Sequence, residues 1–99
     1  MRAGSRVFRF DIDLAAMAAA DARMTVSAPP GKVLLVDVQQ RAPGLPCLWL
    51  EVPLDEPPVD RVFEVVGTGH DVPEGGVHVG SWQQEGFVWH LYEVSGDAQ

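Results

Sequence analysis

From residue 28 onward, proline or glycine breaks every apolar run before it reaches the length of a stable helix, and this punctuation most limits what the chain can fold into. The turn signals are "APPG" (28–31), "RAPGLP" (41–46), the proline-rich acidic stretch "VPLDEPPVD" (52–60), "TGHDVPEGG" (68–76) and "QQEGF" (83–87). Between them lie apolar segments at 32–40, 47–52, 61–67, 77–84 and 87–94, short enough for strands and rich in valine and aromatic residues. The first two read as central strands of one hairpin. Near the N-terminus "RVFRFDI" (6–12) alternates with period two, which predicts a strand with Phe8 and Phe10 facing inward. The adjoining "DLAAMAAADARM" changes character: Asp13 is a helix cap, alanine is the best helix former, and a helix of about two or three turns is expected, docked through Leu14 and Met17. About six strands, one short helix and no βαβ rhythm predict an all-β, mainly antiparallel fold, a small β-sandwich or barrel.

A chain of 99 residues suits a single domain spanning 1–99. Its formal charge of −7 repels a phosphate backbone, so nucleic acid is not an expected partner; solubility is the simplest use of the excess acid. Cys47 is the only cysteine, which leaves no intrachain disulfide and suits a reducing, cytoplasmic setting. Its neighbours Pro46 and Leu48 give it no cationic activation, so core packing is expected of it. The opening "MRAGSRVFRFDIDLAAMAAADA" imitates a signal peptide, but Arg9, Asp11 and Asp13 interrupt the apolar run that export requires. No segment approaches the roughly 20 apolar residues of a membrane-spanning helix.

The segment "HVGSWQQEGFVWH" (78–90) begins and ends on histidine, and its turn decides whether the two share a face. A two-residue turn at Glu85-Gly86 would force Glu85 to positive φ, whereas a three-residue turn at Gln84-Glu85-Gly86 needs only the glycine there. The second reading pairs Gln83 with Phe87, Gly80 with His90 and His78 with Tyr92. It assigns Val77, Val79, Phe87, Trp89 and Leu91 to the core, and His78, Gly80, Trp82, Val88, His90 and Tyr92 to the opposite face. Trp82 is then expected to be at least partly accessible, to contribute to binding and to be replaceable by alanine without loss of the fold, and Trp89 to be structural.

Three uses of that second face remain open: packing against a sheet or another subunit, binding a flat cyclic or nucleotide-like ligand, and binding metal. The candidate ligand-binding residues are His70, His78, Trp82, His90 and Tyr92. A metal site would need His70 alongside His78 and His90, but their spacing matches no compact signature and no cofactor is expected. "GTG" (67–69) lacks the lysine of a phosphate loop and reads as a turn.

The pattern "VLLVDVQ…PCLWLEV…RVFEVVGTGHDVPEGGVHVGSWQQEGFVWHLYE", and within it "GTGH", "HVGS" and "VWHLYE", resembles a family of small, functionally uncharacterised proteins encoded by bacteriophages and actinobacterial genomes. The resemblance covers about residues 31–94 and leaves out the alanine-rich N-terminal part. It implies a stand-alone cytoplasmic protein of the phage accessory type and brings no catalytic residue. The expected function is a non-enzymatic binding or interaction module that sequesters a small host molecule or blocks a host protein. The alternatives are a histidine-based metal-dependent enzyme and a structural homo-oligomer without a ligand. Self-association is expected in any case, from three tryptophans, four phenylalanines and long apolar strands in one small domain.

Overall fold

The alternation of Phe8 and Phe10 with charged residues builds the first strand, and the punctuated apolar runs build the rest. A computed structural model describes residues 4–18, 20–40 and 44–94. Along the chain run β1 (Ser5–Asp11), α1 (Leu14–Ala18), β2 (Arg23–Ala28), β3 (Lys32–Val38), β4 (Pro46–Pro53), β5 (Val59–Gly67), β6 (Val77–Gln84) and β7 (Phe87–Val94). All strand pairs are antiparallel, in a three-stranded sheet β1-β4-β3 and a four-stranded sheet β2-β5-β7-β6. One hydrophobic cluster draws on both sheets, including Val36, Leu48, Leu50 and Val52 from the first and Val26, Phe63, Trp82 and Leu91 from the second. The fold is a small β-sandwich and neither sheet closes into a barrel.

The first sheet keeps closely to the sequence pattern. Phe8 stands opposite Leu50 and Phe10 opposite Leu48, and both rings pack against the core as expected. β3 and β4 form the anticipated hairpin, but only β4 is central. β3 is an edge strand whose register shifts between Val33 and Leu35, so Leu34 and Leu35 are exposed. A bulge of this kind is a common way for an edge strand to avoid pairing with other chains.

The helix is shorter than its alanine content predicts. Asp13 caps it through a bond from the Ala16 amide to Asp13 Oδ1 (3.1 Å), and Met17 is buried, both as expected. The amides of Ala20 and Ala22 then converge on the Met17 carbonyl (2.9 and 2.7 Å), and Asp21 and Ala22 take positive φ (56° and 61°), which ends the helix after five residues. The chain then enters β2, a strand in place of the expected further helical turns, where Met24, Val26 and Ala28 turn toward the core and Thr25 and Ser27 remain exposed. Pairing with β5 and burial of that alternate set outweigh a difference in helix propensity of about 0.7 kcal/mol per residue or less.

The two sheets meet chiefly where β3 runs along β6. Gly80 makes this approach possible: a Cβ there would stand 2.5 and 2.6 Å from Cγ2 and Cβ of Val36, closer than carbon atoms can come. At one end of the sandwich, Gly31 presses on the backbone of Glu51 and Val52 in the same way. There Arg61 forms a two-pronged pair with Glu93 (Nε to Oε2 and Nη2 to Oε1, both 2.8 Å) and donates to the Gly31 carbonyl (2.7 Å). Glu93's hydrogen bond raises the guanidinium pKa above its ordinary value, and burial opposes it. One side chain thus ties β5, β7 and the β2–β3 turn together.

The β6–β7 hairpin departs from the expected register. Its turn is the two-residue one, with Glu85 at φ 52° and Gly86 at φ 85°, so Gln84 pairs with Phe87 and Trp82 with Trp89. Type I′ geometry suits the twist of the strands, and that outweighs the small cost of positive φ at Glu85. Trp82 consequently faces inward at 3% exposure, while Val77 and Phe87, expected in the core, stand at 64%. Its indole N–H is satisfied by Gln84 Oε1 (3.3 Å), whose amide donates in turn to the Gly44 carbonyl (3.3 Å). Trp82→Ala should therefore lower unfolding stability by about 3–5 kcal/mol in urea titrations. Phe87→Ala, at an exposed position, should change it by less than about 1 kcal/mol.

Candidate functional site

A second irregularity recovers the shared histidine face that the two-residue turn would otherwise have destroyed. With that turn alone, Ser81 pairs with His90, and His78, three residues earlier, would point to the other side. A register shift between His78 and Gly80 inserts one extra residue and returns His78 to a position opposite Tyr92. His78, Ser81, His90 and Tyr92 thereby share the outward face of the four-stranded sheet. The imidazole centroids of His78 and His90 lie 6.0 Å apart, and Tyr92 meets His78 edge-on at 5.2 Å.

Ser81, which no sequence motif singles out, is the centre of this face. Its Oγ lies 2.9 Å from His78 Nε2 and 2.8 Å from His90 Nδ1. On the far side of His90, Nε2 lies 3.4 Å from Thr68 Oγ1, and Thr68 donates its proton to the Val88 carbonyl (3.0 Å). For neutral imidazoles the proton positions follow by elimination. Thr68 has no proton left for His90, so it accepts from Nε2–H; His90 Nδ1 is then bare and accepts from the Ser81 hydroxyl. Ser81 accepts in turn from His78 Nε2–H, which leaves His78 Nδ1 as an acceptor without a partner among the described residues. The result is a one-way chain of donors from His78 through Ser81, His90 and Thr68 to a backbone carbonyl.

This arrangement can bind and orient a ligand, and it can relay polarisation along the chain. A serine hydroxyl on an imidazole nitrogen has the first two parts of a nucleophile–base pair. The third group, however, is a threonine hydroxyl and not a carboxylate, and Ser81 is exposed on an open sheet face. Beside it, a cleft of about 550 Å³ runs between β3 and β6, lined by Leu35, Asp37, Ser81, Gln83 and Val88 among others.

The remaining expected residues lie elsewhere. Trp82 is on the inner face, because the two-residue turn reverses its side. His70 comes after the turn that closes with its amide on the Gly67 carbonyl (3.0 Å), and its ring lies near Gly67, within reach of Trp89. Gly67 is opposite Trp89 in the sheet, so His70 belongs to the side of Trp89 and not to that of His78 and His90. The three histidines are not assembled into one site, and among the described residues no group of three or more His, Cys, Asp or Glu side chains is placed to hold a metal ion. The glycines of "GTG" serve the turn after β5, with Gly69 at φ 93°. No helix is long and apolar enough to cross a membrane among the described residues.

Cys47 is buried between Asp11 and Asp37 of the neighbouring strands, with Sγ 3.4 Å from Asp11 Oδ1. Burial raises the thiol pKa; the hydrogen bond to Asp11 and its negative charge act in the same direction, and Arg9 opposes them. The thiolate is therefore disfavoured where the fold is intact.

Among families of known proteins, one described as "Domain of unknown function (DUF7352)" matches residues 4–99. No curated protein and no solved structure matches the chain. The geometry of Cys47 makes a measurable claim of its own. A maleimide at neutral pH should label the folded chain at least about tenfold more slowly than the urea-unfolded chain, timed by intact mass. Equal rates would place the thiol at the surface.

Proposed function

The chain belongs to the DUF7352 family, and from that premise we propose that it is a non-enzymatic binding module whose ligand is a small molecule held on the outer face of β6 and β7. The observation that carries this reading is the chain of donors His78–Ser81–His90–Thr68, which begins at the exposed His78 and whose central Ser81 also lines an open cleft. Such a starting point selects a ligand that donates an N–H or O–H to His78 Nδ1. The ring of Tyr92 packs edge-on against His78, and on the other side of Ser81 the apolar Val88 and Leu35 line the cleft. A small heterocycle with a ring N–H, of the kind used in signalling, fits that description.

The setting proposed for this activity is the cytoplasm, in an accessory protein of the phage or prophage kind that sequesters a host molecule. It rests on the resemblance of residues 31–94 and on the lone, buried thiol. Blocking of a host protein would use the same face. Self-association belongs to the same proposal: Val77 and Phe87 at the ends of the hairpin, and Leu34 and Leu35 on β3, expose apolar side chains that a second copy could cover. Assembly of a metal-dependent enzyme has less support, because His70 is on the other side of the sheet.

Native mass spectrometry of the chain purified from cytoplasmic extract tests the reading. The wild-type chain should retain a small molecule, and His78→Ala and Ser81→Ala should each reduce its occupancy by about tenfold, the effect of losing one good hydrogen bond. Both variants should melt within a few degrees of the wild type, since both positions are exposed. A ligand retained equally by all three chains would contradict the assignment.

A further inference from the structure

We propose that the open edge of β2 docks an extended peptide of another protein, one that alternates apolar and basic residues. Among the described residues β2 is the last strand of its sheet and pairs only with β5. The ladder sets the direction of its free groups. Val65 donates to the Ala22 carbonyl (2.9 Å) in register with the β2–β5 pairs, so Ala22, Met24, Val26 and Ala28 bond toward β5. Arg23, Thr25 and Ser27 then point the other way. The Arg23 amide bears this out by donating to the Ala20 carbonyl (3.1 Å) outside the sheet. The N–H and C=O groups of Thr25 and Ser27 are left along the open edge, and no backbone bond outside the ladders involves them among the described residues.

A groove of about 440 Å³ runs along this edge. It touches every residue from Arg23 to Ser27, as a channel along a strand edge must, whereas a cavity over a sheet face would touch alternate residues. Phe10, Met17, Met24 and Val26 give it apolar walls, and two carboxylates reach it, Asp11, with Arg9 3.6 Å away, and Asp13, which caps α1 through one oxygen. Arg23, the one basic residue of its lining among the described residues, is engaged by Glu64 (2.9 Å). With a net charge of −7 behind them, the two carboxylates favour Lys or Arg in the occupant, and the apolar walls favour hydrophobic residues between those. A strand of six residues spans about 20 Å and pairs with about six residues of peptide.

The facing edge strand differs. β1 carries Arg6 on one side and Arg9 and Asp11 on the other, the charged decoration that discourages strand addition. β2 has no proline and no register shift, and offers only Thr25 and Ser27 beyond its first residue. Strand addition of this type draws affinity from main-chain hydrogen bonds and selectivity from alternate side chains. The proposal goes beyond the ligand site on β6 and β7 and uses none of its residues, so the two stand or fall separately.

The test uses the full chain, labelled with ¹⁵N, and a blocked octapeptide of four Lys-Val repeats. Amide shifts should move along Arg23–Ala28 and in α1, and hydrogen exchange at Thr25 and Ser27 should slow at least about tenfold on saturation. A Glu-Val octapeptide should bind at least about tenfold more weakly. Thr25→Pro removes an edge N–H that faces away from β5, a position where a strand tolerates proline, and should weaken binding by at least about tenfold. A Lys-Val peptide N-methylated at alternate residues should fail likewise, with the protein unaltered. The proposal is overturned if millimolar Lys-Val peptide leaves the β2 amides unmoved, or if the methylated or Glu-Val peptide binds as well as the parent. It is equally overturned if the chain alone is a dimer with Thr25 and Ser27 already protected, because the edge then belongs to a second copy.

Discussion

The close approach of Gly80 to Val36 is the contact on which the rest of the structure depends. It lets an edge strand of one sheet lie against an edge strand of the other, and it fixes which side of β6 is the inside. Once Gly80 faces Val36, Trp82 two residues on must also face inward, and its indole fills the interior opposite Trp89. The outward side then goes to Ser81 and Gln83. The hydroxyl–imidazole chain is thus the reverse side of a packing decision. The bulge before Gly80 allows His78 to join it, since an unbulged strand would have turned that ring to the other side.

The opposite end of the sandwich is held differently. Arg61 lies on the same side of its sheet as Phe63, with its guanidinium carbon 5.5 Å from the ring centroid, and engages Glu93 and the Gly31 carbonyl at once. Partial burial makes such a pair stronger than an exposed one, yet each partner loses hydration in forming it. Its main consequence is geometric. It fixes the β2–β3 turn against β5 and β7, and so the position from which β3 sets out to meet β6.

Much of this is legible in the sequence, and the departures have physical causes. Alternation places Phe8 and Phe10 inward, and the turn residues locate five later strands to within a few positions, because burial of one face and glycine or proline chemistry are local signals. The alanine-rich stretch misleads for the same reason: local propensity favours a helix there, but the tertiary gain of Met24 and Val26 against β5 decides for a strand. The side of Trp82 hangs on a choice between two turns that differ in the conformation of Gln84 and Glu85, a small energy that the packing of a whole tryptophan outweighs. His78 and His90 are expected on one face and do share it, but through two compensating departures, the shorter turn and the bulge. Ser81 carries no signal of its own. A serine between two histidines on paired strands becomes conspicuous only when the register is known.

Long-range ¹⁵N–¹H correlation spectra of the three imidazoles, recorded for the wild type and for Ser81→Ala, test the central claim most directly, namely that one hydroxyl joins His78 to His90. The account predicts that the ring-nitrogen signals of His78 and His90 both move when the hydroxyl is removed, while those of His70, on the other side of the sheet, stay in place. A change confined to one of the two rings, or one shared with His70, would contradict it.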